Sequence, residues 1–84
     1  MSDADLRQAV LDAIAGVAPD AEVEFAALNP DKGLREQLDL DSMDFLNVII
    51  ALHESLKVDI PEKDYPRLLT LNGAVAYLAQ KTDG

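Results

Sequence analysis

The stretch Leu38-Asp39-Leu40-Asp41-Ser42-Met43-Asp44-Phe45-Leu46 decides how this chain is read. Between about Asp20 and Asp41 the sequence shows no sustained hydrophobic period. From Ser42 to about Leu56 it shows a clear one. Phe45, Ile49, Leu52 and Leu56 follow one helical line, and Leu46 widens that line towards the core. Asp41 is a good N-cap, and Asp44 lies in the first turn, where negative charge is favoured. Lys57 stands at the other end, where positive charge is favoured. The spacing therefore predicts a helix over residues 42–56 that opens on a serine directly after a long connection.

Working outward, a first helix starts behind Ser2, with Asp5 at the partner position of a capping box. Leu6, Val10, Ile14 and Val17 form its apolar face, Gly16 weakens it and Pro19 ends it. The aperiodic connection that follows is long for a small domain, so it must be anchored or functional. Phe25, Leu28, Leu34 and Leu38 are its candidate anchors. Asn29 to Gly33 reads as a turn, and Leu34 to Leu38 as a single helical turn. Beyond the helix at 42–56, Val58-Asp59-Ile60-Pro61 reads as an extended link, because Ile60 precedes a proline. Glu62 to Tyr65 suits a short helical turn limited by Pro66. A last helix runs from Thr70, its cap, to about Lys81, with Leu71, Ala74, Val75 and Leu78 buried and Tyr77 flanking them. Gly73 weakens this helix and permits close packing. The fold expected is all-α: a small four-helix bundle of three longer helices and one short one, with a long first loop. Val58 and Ile60 alone are too short to make a sheet.

The chain has 84 residues, 49% of them hydrophobic and 27% charged, the balance of one folded domain spanning residues 1–84. Its net charge of −9 disfavours nucleic acid and anionic lipid and favours partners with basic surfaces, although acidity that only aids solubility accounts for the same number. No cysteine is present, so disulfides and thiolate metal sites are excluded, and any thiol chemistry must come from an added group. The N-terminus lacks the pattern of a signal peptide and no apolar run is long enough to span a bilayer, so a cytoplasmic monomer is expected. The absence of a Pro- or Ser-rich flank and the short polar tail Lys81-Thr82-Asp83-Gly84 point to a discrete protein.

Catalytic constellations are missing. The single histidine, His53, lies three turns along the same predicted helix as Ser42, roughly 16 Å away, too far for a Ser-His pair. It reads as a surface or partly buried helix residue. Asp39, Asp41 and Asp44 resemble part of a calcium loop, but the bend glycine and closing glutamate of an EF-hand are absent. Weak binding of divalent cations to the acidic surface stays open. Ser42 itself stands exposed at the positive end of a helix, which stabilises a phosphate placed there. On these residues alone, the plainer reading of a serine that only opens a helix is the stronger one.

At these residues the chain resembles the acyl carrier protein family. The family's attachment motif is an Asp-Ser-Leu-like triplet opening the second helix, and here it reads Asp41-Ser42-Met43, with methionine a mild departure. Asp44 to Leu52 is similar to the family's second helix, Val58 to Pro61 to the end of its second loop, and Leu68 to Leu71 with Val75 to Leu78 to its final helix. The resemblance implies a non-catalytic carrier. It implies a 4′-phosphopantetheine arm on Ser42, drawn from coenzyme A by a phosphopantetheinyl transferase, with Asp41 and Met43 flanking the attachment point. The arm's thiol then carries acyl groups as thioesters to acyl-transferring or acyl-activating enzymes of fatty-acid, polyketide or related lipid biosynthesis. Ile49, Leu52, Leu56, Leu71 and Val75 are candidate liners of an acyl cavity, and ordinary core explains the same pattern. Partner contact is expected on Asp41, Met43, Asp44, Asn47, Ile50 and Glu54, which gather on a side of the helix away from its core line. Asn47 and His53 stand where family members often have carboxylates, which points to a specialised rather than a housekeeping carrier. A carrier of aminoacyl or peptidyl groups is the alternative, disfavoured by the acidity and by the lack of the glycine-rich stretch typical of such carriers.

Overall fold

Three helices each have one apolar stripe to bury, and the fold follows from burying all three together. A computed structural model describes residues 1–83. In it α1 (Asp3–Val17) packs against both α3 (Ser42–Leu56) and α4 (Leu71–Asp83), with the short α2 (Leu34–Leu38) in the first connection. Leu6, Val10 and Ile14 of α1 meet Phe45, Val48, Ile49 and Leu52 of α3 and Leu71, Ala74, Val75 and Leu78 of α4 in one core. The expected all-α bundle of three longer helices and one short one is the observed fold. Among the described residues the only β pairing is an isolated bridge between Gly33 and Thr70.

Local signals set the helix starts. The Ser2 hydroxyl accepts from the Asp5 N–H, and the Asp5 carboxylate accepts from the Ser2 N–H. The Thr70 hydroxyl accepts from the Gly73 N–H at 2.9 Å, which caps α4 as expected. At Gly73 a Cβ would lie 2.8 Å from the Arg67 carbonyl oxygen, so glycine is what lets the chain before α4 approach so closely. α4 continues to Asp83 rather than ending near Lys81, and the Thr82 hydroxyl donates to the Leu78 carbonyl within it. The expected polar tail is therefore mostly helix, and its last residue, Gly84, lies outside the described residues.

The connections are more regular than their sequence. Pro19–Ala27, expected to be irregular, forms a 3-10 helix. Its tighter turn carries no 3.6-residue hydrophobic signature, and it tucks in only Ala21 fully, with Phe25 half-buried. Leu34 and Leu38 are the deep anchors, while Leu28 is half-buried. Past the Asn29–Gly33 turn the connection is strapped to the start of α4. The Leu34 N–H donates to Leu69 O at 2.8 Å and the Asn72 N–H to Pro30 O at 2.9 Å, and Asn72 Nδ2 donates to Asp31 Oδ1 at 2.6 Å. The second connection is extended through Val58 and Ile60, both buried, and then turns into a 3-10 helix over Glu62–Leu68. Pro66 sits inside that helix instead of limiting it, because the fixed proline φ matches the 3-10 conformation.

Tyr77 is the largest correction to the expected core. It does not flank the core but belongs to it, at 1% exposure. Its hydroxyl donates to Asp64 Oδ2 at 2.6 Å, and Arg67 lies over its ring at 5.0 Å. Burial, reinforced by the Asp64 carboxylate, pushes the phenol pKa up to about 12 from its ordinary 10. The unfolded chain therefore loses this proton first as pH rises from 10 towards 12, and stability falls over that window. We expect Tyr77→Phe to cost about 1 kcal/mol at neutral pH. Urea unfolding at stepped pH should show a smaller alkaline loss for the variant than for the wild type.

Candidate functional site

A reciprocal cap builds the entry to α3. The Asp44 N–H donates to Asp41 Oδ1 at 2.8 Å, and the Asp41 N–H donates to Asp44 Oδ2 at 3.3 Å. Asp41 is extended (φ −84°, ψ 179°), so the chain enters the helix in the usual N-cap geometry. Since the two aspartates cap each other, the hydroxyl of Ser42, the first residue of α3, is left out of the cap. Ser42 is exposed. Its side chain sits at the positive end of a fifteen-residue helix.

The linker before it is rigidly made. Leu34, Leu38 and Leu40 are buried, which pins α2 and the chain after it. Asp39 takes the left-handed conformation (φ 54°), one that aspartate tolerates better than most residues, and the N–H groups of Asp39 and Leu40 both return to Arg35 O. The half-buried Arg35 side chain reaches forward over the same linker, donating from Nη2 to Ser42 Oγ at 3.2 Å and from Nε to Leu40 O at 3.4 Å. Beside Ser42 opens a groove of about 490 Å³ lined by Arg35, Phe45, Leu46, Glu62, Tyr65, Pro66 and Leu69. Leu46 thus faces this groove, not the core. Val48 holds the core position instead, being one helical turn back from Leu52.

The interior has little space. Its enclosed cavity is about 10 Å³, about one water's probe volume. Of the candidate liners only Ile49 and Leu52 border it. Leu71 and Val75 are core residues elsewhere, and Leu56 borders a surface groove between α1 and α3. Side-chain spacing marks which residues turn inward but not which of them surround a void, and this is why three of the five were misplaced.

Met43, Asn47, Ile50 and Glu54 all lie exposed along α3, with Asp41 exposed and Asp44 half-buried at the near end. Met43 and Ile50 keep 64% and 43% of their surface, so this face of α3 carries apolar side chains in water beside its carboxylates. His53 is at the other end of α3, where its Nδ1–H donates to Val58 O at 2.6 Å. That bond closes the turn at Lys57, which is left-handed at φ 57°. Among the described residues no three His, Cys, Asp or Glu side chains converge as a metal site; Asp41 and Asp44 are tied to the cap. Arg35 was absent from the sequence-based candidates. One signal for it existed: it is the only Lys or Arg between Gly33 and Leu56.

The family model described as phosphopantetheine attachment site matches residues 8–78. The chain is 32% identical over 73 residues to an acyl carrier protein of Acidothermus cellulolyticus, covering 87% of this chain and 80% of the relative. It is 28% identical over 78 residues to one of Picosynechococcus sp., covering 92% and 96%. It is 36% identical over 50 residues to one of Kineococcus radiotolerans, covering 60% of this chain and 62% of that relative, a little under two thirds of its length. The geometry at the start of α3 fits such an attachment. The serine hydroxyl is exposed, unused by the cap, placed at a positive helix end and beside an open groove of about 490 Å³. If Asp41 and Asp44 make the cap without Ser42, their roles separate in stability measurements. Asp41→Ala should cost about 1 kcal/mol in urea unfolding. Ser42→Ala should stay within about 0.5 kcal/mol of the wild type.

Proposed function

Because the chain belongs to the acyl carrier protein family and takes a covalently attached 4′-phosphopantetheine group, we propose that Ser42 bears that group and that the protein is a non-catalytic carrier of acyl thioesters. The observation that carries this reading is the uncapped Ser42 hydroxyl, exposed at the first position of α3 beside an open groove. In the modification, Ser42 Oγ bonds to the phosphorus of the phosphopantetheine moiety of coenzyme A. The phosphoanhydride bond to the nucleotide breaks, the nucleotide leaves, and the hydroxyl proton passes to a base on the transferase. The group supplies the thiol that a chain without cysteine lacks.

Recognition of partners, on this reading, uses the exposed face of α3. Asp41, Asp44 and Glu54 offer charge to basic surfaces, and Met43 and Ile50 offer apolar contact between them. A face that mixes acids with exposed apolar and amide side chains suits a specialised carrier with dedicated acyl-transferring or acyl-activating enzymes. No described helix is long and apolar enough to cross a membrane.

Intact-protein mass spectrometry after incubation with coenzyme A and a broad-specificity phosphopantetheinyl transferase should show one added phosphopantetheine on the wild type and none on Ser42→Ala. No addition, under conditions that modify another carrier, ends the proposal. Offered to general fatty-acid synthase enzymes beside their usual carrier, the loaded protein should be at least about tenfold poorer in kcat/KM, or about 1.4 kcal/mol. Equal efficiency would leave a carrier but remove its specialisation.

A further inference from the structure

We propose that Arg35 is the anion clamp of the arm: once Ser42 is esterified, the Arg35 guanidinium pairs with the phosphodiester and aims the arm into the groove beside it. The inference rests on Ser42 as the attachment point. Its own basis is the placement of Arg35. The residue is held at both ends, its carbonyl taking the N–H groups of Asp39 and Leu40 while its guanidinium lies 3.2 Å from Ser42 Oγ and 3.4 Å from Leu40 O. In a chain of net charge −9 the guanidinium of the half-buried Arg35 is therefore directed at two neutral oxygens, one of them the atom to be modified.

Esterification changes what that guanidinium meets. The Ser42 oxygen becomes a bridging oxygen and a poor acceptor. One P–O bond away it acquires two non-bridging oxygens that share a full negative charge. A guanidinium fork pairs with such oxygens through charge-assisted bonds, stronger than one bond to a hydroxyl. The surroundings need this cation. Asp41 and Asp44 stand at the same helix entry and Glu62 lines the groove, so a new anion there is repelled by these carboxylates and attracted by the helix end and by Arg35. Arg35 also lies on the wall between the Ser42 groove and a second one lined by Gly33, Glu36, Leu40 and Thr70. A phosphate held by Arg35 from the Ser42 side starts the arm over Phe45, Leu46, Tyr65 and Leu69.

The test compares apo and fully converted holo forms of the wild type, Arg35→Gln and Arg35→Lys, with conversion verified by intact mass. The readouts are the change in Tm on conversion and the phosphorus-31 resonance of the phosphodiester. The wild type should gain about 2–4 °C on conversion relative to Arg35→Gln. That difference should shrink in 1 M salt, where the screening length is about 3 Å. The phosphorus resonance should differ between wild type and Arg35→Gln, with Arg35→Lys between them. Equal changes in Tm and an unmoved resonance would overturn the clamp. Loss of modification in Arg35→Gln alone, with no change in the phosphorus resonance of Arg35→Lys, would also overturn it by assigning Arg35 to docking of the transferase. Failure to modify the wild type removes Ser42 as the attachment point, and the clamp with it. Should Arg35→Gln fail to fold, the Arg35 Nε–H resonance of the wild type decides: it should shift on conversion, and a resonance that stays in place overturns the proposal.

Discussion

The bond pair between Asp41 and Asp44 governs the region on which function depends. Each carboxylate accepts the other residue's N–H, so two of the unpaired donors at the start of α3 are satisfied within a single turn. This has two effects. It fixes the residue at which α3 begins, and with it the phase of the stripe that Phe45, Val48, Ile49 and Leu52 present to the core. It also leaves the Ser42 hydroxyl, at the first helical position, outside the cap, with Arg35 Nη2 as its donor. In many helices a serine near the entry is the cap; here the cap is one residue earlier, and the hydroxyl is available for chemistry.

That arrangement has to be held against the rest of the molecule, and the long first connection does the holding. Its deep anchors Leu34, Leu38 and Leu40 place α2 beside the entry of α3, while the bonds from Leu34 and Asn72 join the connection to the start of α4. The aperiodic quarter of the chain is thus neither loose nor dispensable. It carries Arg35, whose guanidinium reaches Ser42 Oγ, and forms part of the wall of the groove next to it. A small domain has few buried residues to distribute, and this one uses both connections to complete its core, with Val58, Ile60 and Leu68 arriving from the second.

The outer surface of α3 follows a different logic. The core needs only one side of the helix, so Met43, Asn47, Ile50 and Glu54 are released from packing and remain exposed. Apolar side chains kept in water beside carboxylates are costly unless something covers them for part of the time, which is why this face, rather than the acidic surface at large, supports the reading of a partner surface. The interior leaves only a small cavity, whereas the groove beside Ser42 is larger and open.

Helix type, helix starts and the exposed serine were legible in the sequence because their causes are local. A cap acts over three residues and an apolar stripe over a few turns, so Ser2, Asp41 and Thr70 marked their helices, while Ser42 was placed by position at a helix start and singled out by the resemblance of its triplet. What the sequence could not contain was decided by contacts between segments far apart in the chain. Tyr77 became core because Asp64, on a separate segment, satisfies its hydroxyl, whereas alone it reads as an amphipathic residue for a boundary. Leu46, expected towards the core, faces the groove instead because the groove and the core lie on adjacent faces of one helix, and spacing does not say which neighbour covers which face. The 3-10 helix over Pro19–Ala27 escaped notice because its period is not that of an α-helix, and the one over Glu62–Leu68 was legible only as a short turn at its start. Arg35 acquired meaning only when the buried leucines of α2 set its guanidinium against Ser42, seven residues away along the chain and 3.2 Å away in space.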